Sequence, residues 1–320
     1  MAAIWNLPRI EFIPFQEIEE RRPVILVTNT PAWDAVKNHL HLPISSYLNV
    51  LEATKDHWDR LLSTVIGDPA SVIYAVGGGL SVDAAKYMAT RFNCPLVCLP
   101  TALTVDAFLT PSSGIRQDQC VRYIDTKPPE RIIVDFEIIT AAPLHLRAIG
   151  ITDVLSIATG CWDWKLADDR GKNPPGMEFI PWVYQSAQSI LQGTFECAEA
   201  AGRGDQAGLK QLLDCLALEV QLCNQIGHAR PEEGSEHYFA YCIENLVGPG
   251  LPHGNLVGPG ILEMAELQGQ DTQRLMMALR ACHVPLNQIP AHTVAETIWQ
   301  LPEYVYKHHL PYGIAHEIEK

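Results

Sequence analysis

The feature that most constrains this chain is a buried strand that ends in three consecutive glycines and leads into a helix. Residues 71–76 are a short apolar, β-branched run without polar alternation, which indicates a strand buried on both faces. Gly77, Gly78 and Gly79 have no Cβ, so their backbone N–H groups can approach a ligand closely. The helical pattern of residues 80–90 directs its first amides and its dipole at the same place. The stretch predicts a phosphate-binding turn, and a tight turn without a ligand is the alternative.

A second strand and its loop extend this pattern to a parallel sheet. Residues 95–99 are another buried strand, and the loop 100–106 that follows carries hydroxyl side chains and one carboxylate. In open α/β sheets, ligands bind beyond the carboxyl ends of the strands. Three further strands are predicted in this half, at residues 23–28, 45–51 and 131–135. Two helices are predicted, one from Asn29 and one at residues 56–66, and a hairpin is predicted at residues 113–125. Strands that alternate with helices predict βαβ units.

The second half of the chain has a different character. After Pro143 helical periodicity dominates, and turns are marked by glycine and proline. A long helical run is predicted from Gly150 through Leu166. We therefore predict two domains, an α/β domain of residues 1–140 and an all-helical domain of residues 141–320.

Composition limits the class of protein. The 320 residues are 47% hydrophobic and 19% charged, which is typical of a soluble globular chain, and the formal net charge of −14 argues against nucleic acid or an anionic membrane as a partner. Nine scattered cysteines without a CxxC motif predict neither disulfides nor a zinc ribbon, and they fit a reducing cytoplasm. No signal peptide and no membrane span are expected.

Three residues of the second half are candidate metal ligands. Asp153, His237 and His253 each lie at the edge of a separate predicted helix. Carboxylate and imidazole suit Zn²⁺ or another divalent ion, and three protein ligands leave a position open for substrate. Spacing alone is weak support, because most histidines lie on the surface or are satisfied in the core.

Several motifs together resemble a known superfamily. GGGLSVDAAK followed by PTALTVD resembles the iron-containing alcohol dehydrogenase and dehydroquinate synthase superfamily, and GITDVLSIATGCWDWKLA, ARPEEGSEHYF and PHGNLVG look like segments of glycerol-1-phosphate dehydrogenases within it. The similarity runs from about residue 70 to about residue 265. It implies a dehydroquinate synthase-like fold with a dinucleotide-binding first domain and a metal-binding and substrate-binding second domain.

The resemblance also implies site residues and cofactors. Asp153, His237 and His253 would hold one divalent metal, Zn by preference, and would act in catalysis together with Asp106. Asp106, Asp153 and Tyr241 would contact a small polyol or polyol phosphate, and an equally open interpretation of Asp106 is a cap for a following helix. NAD or NADP would bind a larger set, namely Gly77, Gly78, Gly79, Leu80, Ser81, Val82, Asp83, Thr101, Thr104 and Thr110. Because Asp83 and Lys86 are three apart on one helix, a surface ion pair is the alternative for them.

The chain departs from the family pattern near the second histidine. Glu232 and Glu233 stand where small or hydroxyl residues are usual, and Tyr241 replaces a histidine that contacts substrate. Paired carboxylates disfavour a nearby phosphate dianion. Asn255 also replaces a charged residue after the HG segment. Arg230 and Lys165 are candidate phosphate partners, and exposed helix positions account for them equally well.

Three functions stay open at this point. The first is a metal-dependent NAD(P) oxidoreductase acting on sn-glycerol 1-phosphate, dihydroxyacetone phosphate or a related polyol. The second is a sugar-phosphate cyclase of the dehydroquinate synthase type, and the third is a non-catalytic relative. Glu52, beyond the second strand, is a possible hydrogen-bond acceptor for a ribose hydroxyl, and the choice between NAD and NADP stays open. The choice of Zn, Fe or Ni is also open, and a cytoplasmic homo-oligomer is expected.

Overall fold

The computed structural model describes residues 4–65 and 70–319. Two compact units emerge from the contacts within the chain. The described residues of 6–143 form an α/β unit, and those from 144 onward, together with Ile4 and Trp5, form a helical unit. The predicted fold class, a parallel-sheet domain followed by a helical domain, is confirmed.

The α/β unit is built on a six-stranded sheet in which every pair of neighbouring strands is parallel. The strand order is β1-β8-β5-β4-β2-β3. Its strands are β1 (Arg9–Phe12), β2 (Val24–Thr28), β3 (Ile44–Asn49), β4 (Val72–Val76), β5 (Leu96–Leu99) and β8 (Arg131–Val134). The remaining strands, β6 (Ser112–Gln117) and β7 (Cys120–Asp125), pair as the antiparallel hairpin that the sequence predicts.

Burial explains where the strands form. All residues of β2 and β4 are buried, as expected for central strands covered on both faces. The prediction missed β1, because this four-residue edge strand alternates charged with apolar residues and has no buried residue. Its Glu11 accepts two hydrogen bonds from Arg131 on the neighbouring β8, at 3.1 and 2.7 Å.

The described residues of the α/β unit include four α-helices, namely α1 (Thr30–Val36), α2 (Lys55–Leu62), α3 (Gly79–Phe92) and α4 (Phe136–Ala141). The predicted cap of α1 is present, since the Asn29 side chain accepts a hydrogen bond from the Ala32 amide at 3.1 Å. Helix α2 ends at Leu62, and its predicted end at Ile66 lies outside the described residues.

The second unit contains helices and no strand among its described residues. They are α5 (Leu144–Arg147), α6 (Ile151–Leu155), α7 (Ile157–Asp169), α8 (Pro181–Arg203), α9 (Gln206–Ile226), α10 (Ser235–Val247), α11 (His253–Leu267), α12 (Gln273–Ala281) and α13 (Ala291–Lys307). The helical run predicted from Gly150 through Leu166 is present as α6 and α7, which a single turn residue, Ser156, divides. All nine cysteines are buried, free thiols. None of the described helices combines the length and the apolar character that a membrane crossing requires.

Replacing the α1 cap tests the local account of this fold. Asn29→Ala should lower the free energy of unfolding by about 1 kcal/mol, because the Ala32 amide loses its acceptor. Urea denaturation followed by circular dichroism measures the change. Asn38→Ala, the same substitution at an exposed position of the same unit, should stay within about 0.5 kcal/mol of the parent. Equal effects of the two substitutions would contradict the cap.

Candidate active site

The glycine turn between β4 and α3 presents main-chain amides at the start of the helix. Gly77 has a φ of 132°, and its amide donates to the Leu99 carbonyl of the adjacent strand at 3.2 Å. Gly78 caps α3 without a side-chain hydrogen bond, and the helix begins at Gly79. The first amides of a helix have no partner within it and attract anions.

The loop after β5 approaches this turn closely. A Cβ placed on Gly78 would lie 2.7 Å from Thr104 Oγ1, so a larger residue there would displace the threonine hydroxyl. Thr104 Oγ1 is itself buried and makes no hydrogen bond to any described residue. An anion-attracting helix start beside an unsatisfied buried hydroxyl fits a nucleotide phosphate.

The other predicted cofactor residues divide into two groups. Leu80 and Thr101 are partly exposed, as are Gly78 and Gly79. Ser81 and Val82 are buried, and their amides donate to the Gly78 carbonyl, both at 3.1 Å. The open amides of this turn are therefore those of Gly78 to Leu80, a shorter stretch than the expected Gly78 to Val82.

Asp83 and Lys86 do not form the surface ion pair that their spacing indicates. The Lys86 side chain has no exposed area, and its Nζ lies 3.0 Å from Asp83 Oδ1. Burial raises the pKa of Asp83, and the charge and hydrogen bond of Lys86 oppose that shift. Thr110, a predicted cofactor residue, accepts a hydrogen bond from the same ammonium at 3.1 Å.

Asp106 does not cap a helix. Residues 107–109 form a turn, and the next regular element is β6, so the alternative interpretation of Asp106 is wrong. Its backbone carbonyl accepts the Leu109 amide at 2.7 Å, which closes the turn.

In the helical unit, the three candidate metal ligands lie together. Asp153 is on α6, His237 on α10, and His253 begins α11. One ligand atom of each lies within 4.8 Å of the other two, and Asp153 Oδ1 is 3.6 Å from His253 Nε2. The rings of His237 and His253 have centroids 5.2 Å apart. A carboxylate and two imidazoles at this spacing are a donor set that fits a divalent metal.

Two glycines of α11 permit this convergence. A Cβ on Gly254 would lie 2.5 Å from Ile149 Cγ1 and 3.0 Å from the Ile149 carbonyl, in the segment that leads to α6. A Cβ on Gly260 would lie 2.6 Å from the Glu236 carbonyl on α10. Since both carbonyls belong to the backbone, side-chain adjustment alone cannot relieve these contacts. Small residues at these two positions thus bring the helix of His253 against the segments that carry Asp153 and His237.

A buried carboxylate orients His237. Glu236 Oε1 lies 2.9 Å from His237 Nδ1, which leaves Nε2 as the nitrogen available to a metal. Burial lowers the pKa of His237, but the hydrogen bond and charge of Glu236, together with the charges of Glu233 and Asp153, raise it to about 9. Glu236 Oε2 has no hydrogen-bond partner among the described residues. The excess of carboxylate charge around the imidazole favours a cation.

The sequence analysis did not single out Asp163, which is buried at the centre of a hydrogen-bond network. It accepts from the Ser235 amide at 2.8 Å, the Ile314 amide at 2.8 Å and Gln268 Nε2 at 3.0 Å. These bonds join α7 to the start of α10, the end of α11 and the C-terminal segment. The sequence does carry a signal for this role, because Asp163 is flanked by two tryptophans in a helical run. An acid buried among such residues requires hydrogen-bond partners.

The residues that depart from the family pattern make contacts of their own. Tyr241 is buried, and its hydroxyl donates to Glu233 Oε1 at 2.8 Å. Asn255 is buried and donates to Gln288. Arg230 is not on an exposed helix as proposed, because it is buried in a turn and donates to the Tyr312 carbonyl at 2.7 Å.

Comparison with known proteins identifies related chains. A family model described as iron-containing alcohol dehydrogenase matches residues 16–143. The chain is 28% identical to a glycerol-1-phosphate dehydrogenase (NAD(P)+) of Saccharolobus islandicus over 301 residues, 89% of this chain and 85% of the relative. It is 29% identical to one from Hyperthermus butylicus over 243 residues, 75% of this chain and 68% of the relative.

Solved structures share the fold at lower identity. A probable glycerol dehydrogenase from Sinorhizobium meliloti has a TM-score of 0.71 and 18% identity, and the match covers 95% of this chain and 90% of that one. A glycerol dehydrogenase from Schizosaccharomyces pombe has a TM-score of 0.66 and 18% identity, with 100% and 86% covered.

Enlarging Gly260 tests the helix convergence. Gly260→Ala should destabilise the protein by about 1–3 kcal/mol and weaken metal binding, since the new methyl group pushes α11 away from the Glu236 carbonyl. Thermal unfolding and titration with zinc measure the two effects. At Gly193, within α8, a Cβ would make an ordinary 3.5 Å contact, so Gly193→Ala should be neutral or stabilise by up to about 1 kcal/mol. Unchanged metal affinity in Gly260→Ala would refute the convergence.

Proposed function

We propose that this chain is a member of the iron-containing alcohol dehydrogenase superfamily and that it is a metal-dependent NAD(P) oxidoreductase. Its proposed reaction is the interconversion of dihydroxyacetone phosphate and sn-glycerol 1-phosphate, the activity for which its relatives are named. The observation that carries the proposal is the convergence of Asp153, His237 and His253 within 4.8 Å.

The residues of the α/β unit would hold the nucleotide. The amides of Gly78, Gly79 and Leu80 would bind the pyrophosphate at the start of α3, and Thr104 Oγ1 would donate to it. Glu52 follows β3 in an exposed position and is the candidate acceptor for a ribose hydroxyl.

The residues of the helical unit would hold the metal and orient the substrate. Asp153 Oδ1, His237 Nε2 and His253 Nε2 would be the ligands, and the carboxylate of Glu236 fixes the tautomer and direction of His237. When bound, the metal supplies Lewis acidity toward the substrate oxygen and the nicotinamide supplies or accepts the hydride. Tyr241 would contact the substrate with its ring, because its hydroxyl is engaged with Glu233. Asp106, on the loop after β5 in the α/β unit, would bind a substrate hydroxyl.

We propose zinc as the metal. Two imidazoles and one carboxylate are a donor set typical of catalytic zinc, and three protein ligands leave a coordination position for substrate.

A second candidate substrate is a polyol without phosphate. Glu233 carries its charge close enough to His237 to raise the pKa of that residue, and such a carboxylate repels a phosphate dianion. The two cations named as phosphate partners are engaged elsewhere, since Arg230 donates to the Tyr312 carbonyl and Lys165 pairs with Asp169. These contacts favour glycerol or dihydroxyacetone as an alternative pair.

We further propose that the enzyme works in the cytoplasm as a homo-oligomer. Nine buried free thiols fit a reducing compartment. Trp182 and Trp299 are 56% and 59% exposed, and large exposed aromatic residues are common in protein interfaces.

A substrate comparison tests the reaction. Protein of measured metal content should oxidise NADH or NADPH, followed at 340 nm, faster with dihydroxyacetone phosphate than with dihydroxyacetone or glyceraldehyde 3-phosphate. A faster reaction with dihydroxyacetone would favour the second candidate. A sugar-phosphate cyclase would show no net oxidation of the nucleotide, and metal binding without turnover on any of these substrates would indicate a non-catalytic relative.

Removing one ligand tests the metal site. His253→Ala should lose bound metal and at least roughly a thousandfold in kcat/KM, because the Lewis acid supplies several kcal/mol of stabilisation. Metal analysis and the 340 nm assay measure both losses. His292→Ala, which removes an exposed histidine of α13, is the matched control and should keep metal and activity. Full metal content and activity in His253→Ala would show that the site is assigned wrongly.

A further inference from the structure

Four candidate residues lie on one irregular loop of the α/β unit. Thr101, Thr104, Asp106 and Thr110 fall between the end of β5 at Leu99 and the start of β6, where the chain has neither helix nor strand. The backbone hydrogen bonds at 102–104 and 106–109 are local and do not reach α3. Another contact must fix this loop beside the glycine turn.

Lys86 makes that contact. From α3, its Nζ donates to the Ala107 carbonyl at 2.8 Å, to Thr110 Oγ1 at 3.1 Å and to the Ser112 carbonyl. Asp83 Oδ1, one turn earlier on the same helix, lies 3.0 Å from the ammonium. The fully buried ammonium of Lys86 thereby joins α3 to both ends of the 107–112 segment.

This arrangement is costly unless all its partners stay in place. A buried ammonium is tolerated only when it is paired and hydrogen-bonded, and Lys86 has one carboxylate and three oxygen acceptors for its three protons. Withdrawing the loop from α3 would leave the charge with Asp83 alone. The buried cation therefore opposes movement of the loop, much as a bound ion would.

We propose that Lys86 is a positioning residue that holds the 101–112 loop against the start of α3 and thereby sets the affinity for the nucleotide. The inference depends on the nucleotide role given above to the glycine turn. Thr104 would be the residue through which Lys86 acts, because Thr104 Oγ1 lies only 2.7 Å from the position that a Cβ on Gly78 would occupy.

The test compares Lys86→Met with the parent protein. The variant keeps the length of the side chain and loses the ammonium, so the dissociation constant for NADH or NADPH should rise at least roughly tenfold in a fluorescence titration. Amide hydrogen exchange over residues 101–112 should become faster in the same variant without nucleotide. Lys37→Met, at an exposed lysine directly after α1, is the matched control and should change neither quantity. Bound metal should stay at the parental amount, because the candidate ligands belong to the helical unit.

The outcomes separate this inference from the proposed function. A folded Lys86→Met with a dissociation constant within about twofold of the parent and unchanged exchange would overturn the role of Lys86. If Lys86→Met does not fold, the dissociation constant and the hydrogen exchange of Lys86→Gln are judged by the same two limits. Its side-chain amide keeps a hydrogen-bond donor but carries no charge. Lys86→Arg retains a cation and should restore part of the affinity for the nucleotide. If its affinity does not exceed that of Lys86→Met, the result would count against the positioning role of Lys86. Failure of the parent protein to bind either nucleotide would instead overturn the proposed function.

Discussion

The candidate metal site depends on the close approach of helix backbones at two glycines. Gly254 and Gly260 place α11 within contact of Ile149, ahead of Asp153, and of the Glu236 carbonyl, beside His237. Backbone contacts of this kind are rigid, because they leave no side chain that can rotate away. The candidate ligands are thus held by main-chain packing in the core of the helical unit, which is the kind of support that a metal site with an open coordination position requires.

Buried acids provide the second level of support. Glu236 holds the ring of His237, and Asp163 ties Ser235, at the start of the same helix, to Gln268 and to the C-terminal segment. Each of these carboxylates is buried, and burial of a charge is tolerable only with several hydrogen-bond donors or a nearby cation. The C-terminal residues therefore contribute to the site although none of them is a candidate ligand.

Much of the fold could be predicted because its signals are local. The buried strands appear as short apolar runs, and the Asn29 cap precedes its helix directly. Long-range pairing was harder to anticipate, since β1 is stabilised by Glu11 contacts with Arg131, 120 residues away. Lys86 was misinterpreted for the same reason, because three of its partners come from a loop that its helical spacing does not reveal. The three candidate metal ligands were proposed by resemblance, whereas the glycine contacts that bring them together require coordinates.

The central claim is that Asp153, His237 and His253 hold a metal beside the reacting oxygen. X-ray absorption at the zinc edge, on protein loaded with one equivalent of zinc, addresses it directly. The account predicts a first shell of nitrogen and oxygen at about 2.0–2.1 Å with the outer-shell scattering of two imidazoles. A shell containing sulfur at about 2.3 Å, or one without imidazole scattering, would contradict it.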